Sequence, residues 1–130
     1  MSELSLAPDS PEILLVIRDE ELRLALADLL RVEGFATRHA HAVDEVPARL
    51  SAPKPIAMIV DASLERDDAR RLLDRLADAS FGVPTVVVAQ KPGLADRAHE
   101  LGFGCVEIPF GRFALQSEIA RVRAANGRPS

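Results

Sequence analysis

The sequence predicts a single α/β domain, a doubly wound (βα)5 parallel sheet with helices on both faces. Three observations carry this expectation. Ile13–Ile17 (ILLVI), Ile56–Val60 (IAMIV) and Thr85–Ala89 (TVVVA) are short, apolar and largely β-branched, as suits strands buried on both sides. Between them lie longer segments with apolar residues at helical spacing. The chain has 130 residues, 48% of them apolar and 28% charged, which allows one compact core without disulfides or a structural metal.

The first strand, Ile13–Ile17, leads into a helix over Glu20–Glu33. Leu22, Leu26, Leu29, Leu30 and the small Ala25 form its apolar stripe, and Gly34 stops it. Phe35–His39 is a weaker strand candidate, as expected at a sheet edge. Val43–Leu50 fills the second helical slot, where Pro47 makes any helix short or irregular. After Ile56–Val60 comes a helix over Asp67–Ala79. Ala69, Leu72, Leu73 and Leu76 lie on one face of it, and acids sit at its start, where the helix dipole favours them. Thr85–Ala89 is followed by a helix over Leu94–Leu101, then by a second weak strand, Cys105–Ile108, and a last helix over Arg112–Ala125. The domain is thus expected over residues 12–125, with a disordered or extended tail over 1–11 and another over 126–130.

A sheet of this kind binds ligands beyond the carboxyl ends of its strands, where the strand order reverses. The polar residues at those ends are Arg18 and Asp19, Asp61, and Gln90 and Lys91; Asp61 follows five apolar residues directly. Sixteen basic against 20 acidic residues leave a net charge of −4, which argues against nucleic acid or an anionic membrane as partner. No apolar run is long enough to span a bilayer, and the polar, acidic Ser2–Pro11 is unlike a signal peptide, so a cytoplasmic domain is expected.

The lone Cys105 has no internal disulfide partner and reads as a small buried strand residue. His39 and His41 share one strand face but supply two ligands at most, so neither metal nor cofactor is expected. His99 reads as an exposed helix residue. Arg112, Arg121, Arg123 and Arg128 complement the negative end of the last helix, with no aromatic residues interleaved for nucleic acid. A phosphate-cradling loop is missing too, since Arg18-Asp19-Glu20-Glu21 has three acids and no glycine. No nucleophile–base arrangement stands at the strand ends, so the chain does not read as an enzyme.

From Glu12 to Val122 the chain resembles the receiver domain of two-component response regulators, of flavodoxin-like and CheY-like fold. The resemblance rests on ILLV…EELRLALADLLRVEGF, on IAMIVDASL around Asp61, on DDARRLLDRL in register with the family's third helix, on VPTVVVAQ, and on CVEIPF. It implies that Asp61 is the phospho-acceptor position. The two acids that help receivers hold Mg²⁺ are matched by Ile17 and Arg18, with Asp19 displaced into the loop. The hydroxyl that grips the phosphoryl group is matched by Ala89, the switch aromatic by Cys105, and the lysine before Pro-Phe by Ile108. The Pro-Gly turn that often follows the aspartate is replaced by Glu65-Arg66. Of these positions Asp61 alone retains the family's residue, which is the pattern of a pseudo-receiver.

Phosphoryl transfer onto a carboxylate needs concentrated positive charge, and Mg²⁺ binds weakly to a single carboxylate. The resemblance therefore implies a stand-alone signalling domain that works by phosphorylation-independent protein–protein interaction. Arg18 is expected to pair with Asp61 in place of the metal. The partner is expected to be another signalling protein or a second copy, docked on the family's fourth-helix, fifth-strand and fifth-helix face. That face spans about Leu94–Arg121, with Ile108, Phe110 and Phe113 on or under it. The alternative is a single-domain response regulator phosphorylated on Asp61, with Mg²⁺, by a histidine kinase or phosphotransfer protein. A third reading is the receiver part of a longer protein. The Ile108–Pro109 bond is a candidate for the cis form.

Overall fold

The computed structural model describes residues 10–51, 53–64, 69–79, 81–90, 92–108 and 110–126. Five strands, β1 (Glu12–Val16), β2 (Ala36–Ala40), β3 (Ala57–Asp61), β4 (Thr85–Ala89) and β5 (Gly104–Glu107), form one sheet in the order β2-β1-β3-β4-β5. All four pairings are parallel. The order reverses between β1 and β3, so the crevice of this sheet lies beyond Val16 and Asp61. The strands start within one residue of their expected positions, and the shift at β3 brings Asp61 into the strand as its last residue.

The period-2 pleat divides the core. Ile13, Leu15, Ile17 and Ile59 pack with Leu26 and Leu30 of α1 (Glu20–Val32) and Leu115, Ile119 and Val122 of α4 (Arg112–Asn126). On the other face, Leu14, Val16, Met58 and Val60 meet Leu72 and Leu76 of α2 (Ala69–Ala79). Val87 and Ala89 meet Leu73 and Ala98, the last on α3 (Ala95–Glu100). The residues of β3 and β4 are buried throughout, whereas β2 and β5, at the two edges, are only partly so.

Local chemistry sets the ends of α1. Asp19 caps its start by accepting a hydrogen bond from the Glu21 N–H at 3.0 Å. Gly34, at φ +93°, closes its end: Gly34 N–H donates to Arg31 O and Phe35 N–H to Leu30 O. This paired pattern needs a left-handed residue that glycine adopts without strain. The Val43–Leu50 slot holds two single 3-10 turns, Val43–Glu45 and Pro47–Arg49, in place of an α-helix, because Pro47 has no N–H to donate. Asn126, expected in the tail, ends α4. Lys91, Glu65-Arg66, the Ile108–Pro109 bond, and 1–9 and 127–130 of the expected tails lie outside the described residues.

Candidate functional site

The strand ends of β1, β3 and β4 converge on Asp61. Its side chain is fully buried. Oδ1 accepts hydrogen bonds from the Ser63 N–H at 2.9 Å and the Ser63 hydroxyl at 2.8 Å. Oδ2 is buried and has no hydrogen-bond partner. The 3-10 turn Ala62–Leu64 follows, and Ala62 and Leu64 are themselves buried. Ser63 was not anticipated, although an Asp-x-Ser sequence at a strand end is a known turn-forming signal.

The neighbouring positions are equally altered. Ile17 is fully buried and packs into the α1–α4 core. Arg18 is exposed, and its Nη2 donates to the Leu64 carbonyl at 3.3 Å. The expected Arg18–Asp61 pair is therefore corrected: no such ion pair forms, and the carbonyl of the covering turn takes the guanidinium instead. A physical reason is at hand, because burying the guanidinium beside Asp61 would strip it of water. Asp19 is turned to capping α1, and Glu20 lies 3.9 Å from Arg23 on the same helix. Ala89 ends β4, buried, and presents only a methyl group.

These residues do not fit the Mg²⁺ that the resemblance implies. Among the described residues no group of three or more His, Cys, Asp or Glu is placed to hold a metal ion. A single buried carboxylate flanked by Ile17 and a cationic Arg18 supplies neither the oxygen donors nor the charge such an ion needs.

The last strand and its flanking helices present a different surface. The Ile108 N–H donates to Ala89 O at 2.9 Å, yet the Ile108 side chain is 38% exposed. Phe113, in the first turn of α4, is 79% exposed, while Phe110 is half-buried against the α1–α4 core. Cys105 is half-buried; burial, with Glu107 and Glu118 nearby, pushes its thiol up to about 11, which keeps it protonated.

Along the outer edge of β5, Glu118 of α4 gathers several donors. Arg121 reaches both its oxygens, at 3.0 and 3.1 Å. The Cys105 N–H donates to Oε1 at 2.8 Å, and His99 Nε2 lies 3.3 Å from the same atom. The Arg121 guanidinium above all, then the Cys105 N–H and His99, hold the Glu118 carboxyl down at about 2 against the opposing effect of burial. Sequence reading missed Glu118; its hint was an acid three residues before an arginine on a helix. At the opposite edge the His39 and His41 rings meet edge to face at 5.4 Å. Burial there, with the nearby Arg23, His41 and Arg49 charges, lowers the His39 pKa.

No helix among the described residues is long and apolar enough to cross a membrane. No family model matches the chain. It is 26% identical to the response regulator MprA of Mycobacterium bovis over 115 residues, which is 88% of this chain and 50% of that protein. The chain thus spans about half the length of the curated relatives it matches. Among solved structures it is similar to a response regulator receiver protein from Pseudoalteromonas atlantica, with a TM-score of 0.71 at 26% identity, over 88% of this chain and 98% of that one. Full-length FixJ from B. japonicum shares the fold, with a TM-score of 0.74 at 20% identity over 93% of this chain and 61% of that one. Sheet order, strand-end aspartate and relatives converge on one description: this chain is similar in sequence and fold to the receiver domains of response regulators.

Proposed function

We propose that the domain is an atypical receiver-like signalling module that acts by binding another protein without being phosphorylated. The observation that carries this reading is the state of Asp61. Its free oxygen Oδ2 is buried, its other oxygen is engaged by Ser63, and among the described residues no group of three or more metal-ligating side chains stands ready to help neutralise an incoming phosphoryl group. The guanidinium of Arg18 is tied to Leu64 O and not to Asp61. Ala89 has no hydroxyl to follow a phosphate, and Cys105 has no ring to turn.

The surface around Ile108 and Phe113 supports the second half of the reading. Two large apolar side chains, 38% and 79% exposed, follow β5 and open α4, and the same two elements carry the Glu118–Arg121 pair, the mixture expected of apolar anchors and a polar rim. The partner is a signalling protein or a second copy of this chain, met through the α3-β5-α4 face. The same reading locates the domain in the cytoplasm and assigns it no catalytic residue.

Intact mass after incubation with Mg²⁺ and acetyl phosphate tests it, with a known receiver labelled alongside. The expected result is no adduct. Arg18→Asp is a parallel attempt to restore a metal ligand. A Mg²⁺-dependent phosphoryl adduct that disappears in Asp61→Ala would overturn the proposal. It would return the chain to ordinary phosphorelay, with Asp61 modified by a histidine kinase or phosphotransfer protein.

A further inference from the structure

The two edges of the sheet carry the same arrangement. At β2 the His41 N–H donates to Glu45 Oε1 at 3.2 Å, and Arg49 Nε donates to the His39 carbonyl at 3.1 Å. At β5 the Cys105 N–H donates to Glu118 Oε1 at 2.8 Å, and Arg121 Nη2 donates to the Phe103 carbonyl at 3.4 Å. Within each set the acid and the arginine also lie close together, Glu45 and Arg49 at 4.0 Å and Glu118 and Arg121 at 3.0 Å. We infer that each Glu–Arg pair stands in for one residue of a further strand and guards its edge, keeping a second copy of this chain from adding its own edge strand there. The inference goes beyond the interaction reading and involves no chemistry at Asp61.

The sheet's own pairing carries the argument. A parallel neighbour donates to the carbonyl before the residue it faces and accepts from the N–H after it. Ala36, facing Glu12, donates to Pro11 O, and Ala40, facing Val16, accepts from the Ile17 N–H. The groups taken by the two Glu–Arg pairs are those on either side of Ala40 and of Gly104, the set that one residue of a sixth strand would use. Unrelated elements supply the pairs, the 3-10 turns after β2 at one edge and α4 at the other, so local sequence does not account for the likeness. Open edge groups are a template for another chain. A strand arriving here must displace hydrogen bonds to charged groups, which are stronger than neutral ones, and draw ion pairs out of water. The occupant kept out is a second copy, because contact of like edges about a two-fold axis closes with two chains. With five residues in β2 and four in β5, either strand is long enough to pair.

The test uses the whole chain carrying Phe113→Asp, so that association through the apolar face does not obscure pairing at the edges. Glu45→Ala with Arg49→Ala opens the β2 edge, and Glu118→Ala with Arg121→Ala opens the β5 edge. In dilute protein, amide hydrogen exchange should quicken about tenfold at His41 in the first double variant and at Cys105 in the second, from the loss of one hydrogen bond to a charged group. Each amide should be unchanged in the other variant. As concentration rises, sedimentation should show each double variant forming dimers where the Phe113→Asp parent stays monomeric, and the quickened amide should regain protection in the dimer. The two edges are read separately, so a variant that fails to fold leaves the other edge to decide. Exchange that is no faster than in the parent, or double variants that stay as monomeric as the parent, would overturn the inference.

Discussion

Replacing Glu118 by Gln asks how much the charge network on the β5 edge contributes to holding the last helix and strand together. The substitution keeps an oxygen for the Cys105 N–H and removes the charge that Arg121 grips through both carboxylate oxygens. The Glu118 carboxyl lies at about 2 against an ordinary 4.5, and at about 1.4 kcal/mol per tenfold this corresponds to roughly 3 kcal/mol. The Arg121 side chain is 48% exposed, and solvent screening reduces the expected effect to about 1–2 kcal/mol. The sign of the pH dependence follows from the lowered pKa. Stability from this group is fully present above the unfolded value of 4.5 and is lost as pH falls toward the folded value of about 2. Urea unfolding of wild type and Glu118→Gln, from neutral pH down to about 3, should show the gap between them narrowing over the acid end. His99 also faces Glu118, so the pair is compared again in a His99→Gln background, which removes histidine charging from the difference. A gap that stays constant with pH, or a variant as stable as wild type near neutral pH, would refute the reasoning.

Three further outcomes are expected. Arg38 donates to the Arg49, Ser51 and Pro53 carbonyls and to Glu12 Oε1, clamping the edge strand β2 to the segment before β3. Arg38→Ala should cost about 2–3 kcal/mol in chemical denaturation, with Arg38→Lys recovering only part of it; a loss below about 0.5 kcal/mol would show that the clamp is incidental. Gly34→Ala should cost about 1 kcal/mol through its positive φ alone, since a Cβ there would meet nothing within 4 Å; an unchanged melting temperature contradicts this. Phe113→Asp should leave stability within about 0.5 kcal/mol of wild type while abolishing association in sedimentation or capture experiments. Association that survives the substitution places the docking surface elsewhere.

Much of the fold is legible in local sequence because its determinants are local. ILLVI, IAMIV and TVVVA announce doubly buried strands through composition alone. Gly34 stops α1 because left-handed backbone is a property of that one residue. Pro47 breaks the second helix because it lacks an N–H. The strand-end position of Asp61 is equally plain, being simply the first charged residue after an apolar run. These features need no knowledge of what lies across the sheet.

What only the tertiary structure decided is which distant groups meet. Arg18 and Leu64 are 46 residues apart, and no local pattern says that a guanidinium leaving β1 will find that carbonyl and miss Asp61. Phe110 and Phe113 look alike in sequence, yet one turns under the domain while the other stands in solvent. Arg38 and Glu118 acquire their partners only in the fold, which brings carbonyls to the first and an edge N–H to the second. The physical reason is one of range, and for the two phenylalanines it is burial that distant packing decides. Backbone preference and hydrophobic periodicity act over a few residues, whereas hydrogen-bond partners of long polar side chains are selected by the packing of whole elements.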